Sequence, residues 1–322
     1  MHNRSLNRIQ IVPCAPYRMY MRIVFLGTPE FAVASLEALI HANFHVVAVV
    51  TAPDKPAGRG MKIQQSLVKQ CALKHQLPVL QPEKLKDPEF IETLRSFHAD
   101  IQVVVAFRML PEVVWNMPPL GTINVHASLL PDYRGAAPIN HVIINGETIT
   151  GVTTFRLRHE IDTGPILLQE KVDIGPDMNA GELHNRLMDS GAGLIVRTLK
   201  GLADGSLKEQ EQDTSRELHS APKLHTESCR IQWDQTASQV RNKIRGLSPY
   251  PGAFTIRNEK KIKIFQALVS GDSAQNIPGT WTSDQKTYIR VQCATGSIDI
   301  LELQVEGKTR MPVADFLRGN TI

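Results

Sequence analysis

Residues 123–131 read Ile-Asn-Val-His-Ala-Ser-Leu-Leu-Pro, and the two side chains best suited to chemistry, Asn124 and His126, stand two positions apart. In a strand that spacing puts both on one face. An amide that can donate to a developing oxyanion, beside an imidazole that can carry a proton, suits transfer at a carbonyl carbon. The same residues also fit a buried histidine bonded to backbone with a capping asparagine. A second polar cluster, Arg158-His159-Glu160-Ile161-Asp162-Thr163-Gly164-Pro165, follows another apolar run. From there Asp162 could orient His126 or raise its basicity, although Asp-Thr-Gly is equally common as a plain turn. A third feature is the loop Pro53-Asp54-Lys55-Pro56-Ala57-Gly58-Arg59-Gly60-Met61-Lys62. It is long and rich in Gly and Pro for a routine connection. Lys55, Arg59 and Lys62 on it suit phosphate contacts, or simply a solvated loop.

Several chemistries have no motif. The first turn, Gly27-Thr28-Pro29-Glu30, is not a dinucleotide fingerprint: Pro29 lacks a backbone donor and Glu30 would oppose a pyrophosphate. Neither a phosphate-binding G-x-x-x-x-G-K-[ST] loop nor a G-x-S-x-G elbow occurs. Cys14, Cys71, Cys229 and Cys293 are scattered without metal-ligand spacing, which suits a reducing cytosol and no structural zinc.

The elements that must position these groups follow from periodicity. Apolar runs at 22–27, 45–51, 101–107, 121–126 and 151–157 read as buried strands, with a short strand at 78–80. Helical patterns fill 30–42, 66–75, 87–97, 136–145 and 179–202. Alternating strands and helices imply an α/β domain with a mainly parallel, Rossmann-like sheet. The polar stretch 206–225 reads as a flexible linker. Beyond it, a helix at 237–245 and short strands at 254–256, 262–267, 288–293 and 298–304 suggest a small β-barrel.

Composition sets the limits. A chain of 322 residues allows about two domains. With 42% hydrophobic and 21% charged residues it is no disordered chain, and it lacks any apolar run of the ~18 residues that would span a bilayer. The net charge of +4 is mild but uneven: residues 223–322 carry 14 basic and 9 acidic side chains, residues 22–222 carry 19 and 23. A basic C-terminal third is compatible with a nucleic-acid partner or with an arbitrary surface. Residues 1–20, broken by Pro13 and Pro16, lack periodicity and read as an extension outside the fold, with Met21 or Met19 as the expected start; an organellar transit peptide also fits the composition.

With these segments in hand, the chain from Met21 to its end resembles the 10-formyltetrahydrofolate-dependent formyltransferases, and among them the branch that acts on methionyl-tRNA. The resemblance rests on FLGTPEFA (25–32), TAPDKPAGRG (51–60), INVHASLLP with YRGAAPI (123–139), IDTGPILLQ (161–169) and LSPYPGAFT (247–255). It implies a formyltransferase domain over 21–205, a linker over 206–225 and a tRNA-binding OB-like domain over 226–322. It further implies transfer of a formyl group from 10-formyltetrahydrofolate, a consumed co-substrate, to the amino group of initiator methionyl-tRNA, in the cytoplasm, by a monomer without metal or membrane. The family's catalytic set falls on Asn124, His126 and Asp162, its folate contact on Ser128, Leu129, Leu130 and Pro131, and its tRNA-reaching loop on Lys55, Arg59 and Lys62. Arg108, Asp132 and Pro165 depart from the expected pattern around the folate pocket. The same sheet could instead serve a small amine, such as a glycinamide ribonucleotide or an amino sugar, or a relict RNA-binding protein; a separate C-terminal module and the long basic loop speak against the first, the complete Asn-His-Asp set against the second.

Overall fold

The computed structural model describes residues 21–57, 62–271 and 277–320. The expectations for residues 1–20 and for Arg59 therefore lie outside the described residues. In chain order the first unit holds β1 (Arg22–Gly27), α1 (Glu30–His41), β2 (His45–Val50), β3 (Lys55–Ala57), β4 (Lys62–Gln64), α2 (Leu67–Lys74), β5 (Val79–Leu80) and α3 (Pro88–Ser96). It continues with β6 (Ile101–Val105), α4 (Glu112–Trp115), β7 (Thr122–His126), β8 (Arg134–Gly135), α5 (Pro138–Ile144), β9 (Ile149–Arg156), β10 (Ile166–Asp173) and α6 (Ala180–Ala203).

The apolar runs form one seven-stranded sheet in the order β10-β9-β7-β6-β1-β2-β5. From β7 through β5 every pair is parallel, while β9 runs antiparallel to both β7 and β10. Unbroken apolar strands need cover on both faces. One face packs with α1 and α6 residues such as Leu36, Leu187 and Ile195, and the other packs against Phe90, Leu94 and Val114 of α3 and α4. The order reverses between β1 and β6, which opens a crevice at the carboxyl ends of the central strands, where open α/β sheets bind ligands. Strand β6 stops at Val105, short of the expected 107, because Ala106 turns to φ 47°. No strand was evident from sequence at 166–173. There β10 is an edge strand with one solvated face, so Gln169, Glu170 and Lys171 obscure its apolar alternation.

A short strand, β11 (Ser220–Ala221), precedes the second unit, which holds α7 (Ala237–Gly246), β12 (Ala253–Arg257), β13 (Lys260–Ser270), β14 (Trp281–Ser283), β15 (Ile289–Gln292), β16 (Ser297–Val305), β17 (Met311–Pro312) and α8 (Val313–Leu317). Its strands pair antiparallel in the order β12-β13-β16-β15-β14, with β17 on β16. Register shifts between Ile264 and Ala267 bend β13 and curl the sheet in the OB-like manner. Val240, Ile244 and Leu247 from α7 and its C-cap close the concave side over Ile264, Val291 and Ile298. The two units touch where α5 meets α7: Asn140 Nδ2 donates to the Gly246 carbonyl at 2.8 Å, and a Cβ on Gly246 would meet Ile144 at 2.7 Å. Among the described residues no helix is long and apolar enough to cross a membrane.

Candidate active site

Strand β7 carries Asn124 and His126 to the carboxyl end of the sheet, Asn124 between Val104 of β6 and Phe155 of β9, and His126 beside Thr153 of β9. His126 is 6% exposed and Asn124 half-buried. Imidazole Nε2 lies 2.9 Å from the Tyr133 carbonyl oxygen. A carbonyl only accepts, so Nε2 must carry a hydrogen and donate it. That leaves Nδ1 as the nitrogen free to exchange a proton, and it faces Asp162 Oδ2 at 3.8 Å. Such a gap is too long for a direct hydrogen bond but within ion-pair range once the imidazole carries a second proton. The Asn124 carboxamide makes no hydrogen bond among the described residues and caps nothing. The backbone bond of His126 and its approach to Asp162 thus coexist; they were not alternatives.

Asp162 sits in a turn that β9 and β10 hold at the sheet edge. Its φ of 55° is left-handed, a region that costs a non-glycine residue about 1–2 kcal/mol, less for Asp than for most. Gly164 follows against the Arg156 carbonyl, where an added Cβ would come within 1.7 Å of oxygen, so no side chain fits. Oδ2 of Asp162 accepts the Gly135 backbone N–H at 3.0 Å.

The turn at 127–133 is locked from beneath. Thr153, fully buried on β9, donates from Oγ1 to the Ser128 carbonyl at 2.6 Å and accepts from the Leu130 N–H at 3.1 Å. Gln169 Nε2 donates to the Leu130 carbonyl and to Thr153 Oγ1, both at 2.9 Å. Ser128 Oγ donates to the Asp132 carbonyl at 2.6 Å. Ser128 and Leu130 are buried, whereas Leu129 and Pro131 are half-buried.

The three residues that depart from the family pattern have clear partners. Arg108 is fastened to the carbonyls of Glu83, at 2.8 Å, and Pro82. Asp132 pairs with Arg216 and accepts the His219 N–H at 3.2 Å. Burial pushes its pKa up, but the Arg216 and His219 bonds prevail and hold it below the usual carboxylate range. Pro165 is buried at the start of β10, and its carbonyl accepts the Arg156 N–H at 3.0 Å.

At the base of the Gly- and Pro-rich loop, Asp54 accepts from Lys69 Nζ at 2.6 Å and Gln81 Nε2 at 2.7 Å, and these bonds lower its pKa. Lys55 is exposed on β3, and the backbone of Lys62 pairs with Ala57 across the β3–β4 hairpin. Among the described residues one group of His, Cys and acidic side chains has ligand atoms within 4.8 Å of one another: Glu37, Cys71 and His75, between α1 and α2 rather than at the end of β7.

Sequence reasoning missed the Tyr133 carbonyl, the Gly135 N–H, Thr153, Gln169 and Gln212, whose amide reaches the carbonyls of Asp162 and Gly164. A threonine facing the core from Gly151–Leu157 is a legible demand for a hydrogen-bond partner; the others leave no signal in sequence.

A Rossmann-like sheet with an amide, an imidazole and a carboxylate at its carboxyl edge, followed by an OB-like module, is the architecture of a formyl transferase. The formyl transferase model matches residues 21–199 and the formyl transferase C-terminal domain model matches 223–321, and the chain belongs to this family. It is 50% identical over 307 residues to the methionyl-tRNA formyltransferase of Bacteroides fragilis, covering 93% of this chain and 95% of that one. With the methionyl-tRNA formyltransferase of Azobacteroides pseudotrichonymphae it shares 52% identity over 310 residues, 93% of this chain and 96% of the relative. The crystal structure of WlaRD, a sugar 3N-formyl transferase solved with dTDP and 5-N-formyl-THF, shares the fold at a TM-score of 0.64 and 20% identity, over 90% of this chain and 99% of that one.

Proposed function

We propose that this chain transfers the formyl group of 10-formyltetrahydrofolate to the α-amino group of methionine on initiator tRNA, giving N-formylmethionyl-tRNA for translation initiation. The observation that carries the chemistry is an Asn124 amide with no hydrogen-bond partner among the described residues, two positions from an imidazole whose Nδ1 faces Asp162 at 3.8 Å. Support for the substrate comes from relatives of that name, similar at about half of all positions through both domains.

The folate is a consumed substrate that supplies an activated formyl carbon. Asn124 donates to the formyl oxygen as charge develops there, an interaction that strengthens toward the transition state. His126 spends its Nε2 hydrogen on Tyr133, which fixes the ring, and works through Nδ1. The attacking amine forms the new C–N bond while the bond from the formyl carbon to N10 of the folate breaks. The amine's proton passes toward Asp162 and Nδ1 and finally to N10. Folate contact by Ser128–Pro131 falls on that segment's backbone and on Leu129 and Pro131, because the Ser128 side chain is fully buried and its hydrogen is given to the Asp132 carbonyl. The loop with Lys55, Arg59 and Lys62 reaches the aminoacyl end of the tRNA, its base anchored by Asp54, Lys69 and Gln81. The OB-like domain, with its excess of basic residues, holds the tRNA body. Every group in this scheme comes from one chain, so a monomer suffices.

The test is transfer of labelled formyl from 10-formyltetrahydrofolate to charged initiator tRNA, with glycinamide ribonucleotide and an amino-sugar nucleotide as rival acceptors. Label should appear only in methionyl-tRNA and only with the donor present. Transfer to a small amine alone, or tRNA binding without transfer, would overturn the reading.

A further inference from the structure

We propose that Gln212, on the segment joining the two domains, is a positioning residue for Asp162. Expected from composition to be a flexible tether, that segment is instead pinned along the catalytic domain. Gln210 exchanges both backbone hydrogen bonds with Ile166, at 2.7 and 2.9 Å. Glu211 takes both arms of the Arg158 guanidinium, at 2.9 and 2.6 Å. Arg216 pairs with Asp132.

Between these anchors the Gln212 amide is fully committed. Nε2 donates to the Asp162 carbonyl at 2.9 Å and to the Gly164 carbonyl at 2.7 Å. Oε1 accepts from Arg134 Nε at 3.1 Å and Nη2 at 2.5 Å. Turning the amide over would set oxygen against two carbonyls and NH2 against a guanidinium, so its orientation is fixed by chemistry. The turn it holds needs holding: Asp162 is left-handed at φ 55°, and Gly164 is pressed on the Arg156 carbonyl.

The same segment reaches Asp162 from the carboxylate side. Strand β11 pairs with β8, whose Gly135 N–H donates to Asp162 Oδ2. Here Gly135 lies so close that a Cβ would sit 2.4 Å from the Ala221 oxygen. Both the backbone and the side chain of Asp162 are therefore referenced to residues 212–221. The aim of its carboxylate at His126 Nδ1, across 3.8 Å, depends on a segment outside the sheet.

This inference rests on Asp162 acting in proton movement, so the test separates the two. In the full chain, single-turnover rates and steady-state kcat and KM are measured for Gln212→Ala, Gln212→Glu, Asp162→Asn and the double variant Asp162→Asn/Gln212→Ala. Displacing a reacting group by about 1 Å costs up to ~100-fold, so Gln212→Ala should lower kcat about 10- to 100-fold, with KM for methionyl-tRNA within about 3-fold. Gln212→Glu keeps an acceptor for Arg134 but offers the two carbonyls no donor, so it should be no better; it also serves if the alanine variant folds poorly. In the Asp162→Asn background, loss of Gln212 should change the residual rate by less than about 3-fold, as expected for residues acting as one unit. A fully active Asp162→Asn enzyme would overturn the reading of the site. An inactive Asp162→Asn beside a fully active Gln212→Ala, or equal losses in both backgrounds, would overturn this inference alone.

Discussion

Replacing Asn124 by alanine should slow formyl transfer about 10²–10³-fold, a loss of ~2.7–4 kcal/mol, while the protein stays folded and its KM values stay within a few-fold. The stability half of this expectation comes from the structure. Asn124 makes no hydrogen bond among the described residues, so removing its amide orphans no buried partner there. The roughly 1–3 kcal/mol that usually follows such a loss does not arise. What remains is a small packing change at a half-buried strand position between Val104 and Phe155. That is worth less than about 1 kcal/mol, or ~2–4 °C in Tm for a domain of this size. The kinetic half follows from an interaction made mainly in the transition state: kcat should fall and KM should not rise. Steady-state kinetics with both substrates, beside thermal unfolding of the same preparation, tests both halves. A large drop in Tm with normal turnover in the folded fraction would make Asn124 structural. Normal kcat with normal Tm would remove it from the mechanism.

Thr153→Val keeps the shape but leaves the Leu130 N–H and the Ser128 carbonyl short of partners in a fully buried place; it should cost about 2–4 kcal/mol in unfolding measurements, and Thr153→Ser should recover most of it. An unchanged melting curve for Thr153→Val would refute the lock beneath the turn. Because Asp132 has a folded-state pKa below its unfolded one, its pairing with Arg216 is complete above about pH 4 and is lost as pH falls through the lowered value. The Arg216 side chain is 56% exposed, so solvent screening keeps the contribution small. Protection of the amides at 216–221, taken relative to their intrinsic exchange at each pH, should fall at acid pH and in Asp132→Asn, and equal protection throughout would contradict it. Burial, then the Glu37 carboxylate, pushes the Cys71 thiol up to about 12, and burial raises Cys293 to about 11 and Cys229 in the same direction. The native protein should resist maleimide at all three at pH 8, as peptide mapping would show; rapid labelling of any would mean its environment opens.

Patterns that are local in sequence were legible without coordinates. Apolar runs at 22–27, 45–51 and 101–107 read as strands covered on both faces, and their alternation with helical stretches points to a mainly parallel sheet. The period of two along a strand likewise puts Asn124 and His126 on one face from their spacing alone. Edge strand β10 escaped because half of its residues face solvent, and 206–225 looked like a tether because composition reports polarity but not partners. Only the fold could bring Asp162, 36 positions beyond His126 and in a left-handed turn, to within 3.8 Å of the imidazole. Only the fold could decide which ring nitrogen of His126 is tied to backbone, through a carbonyl that carries no residue-type signature. Gln212 shows the limit most plainly. Within Lys-Glu-Gln-Glu-Gln-Asp nothing marks one glutamine from another, because a hydrogen bond depends on what the chain folds against it, and those partners lie 48, 50 and 78 positions away.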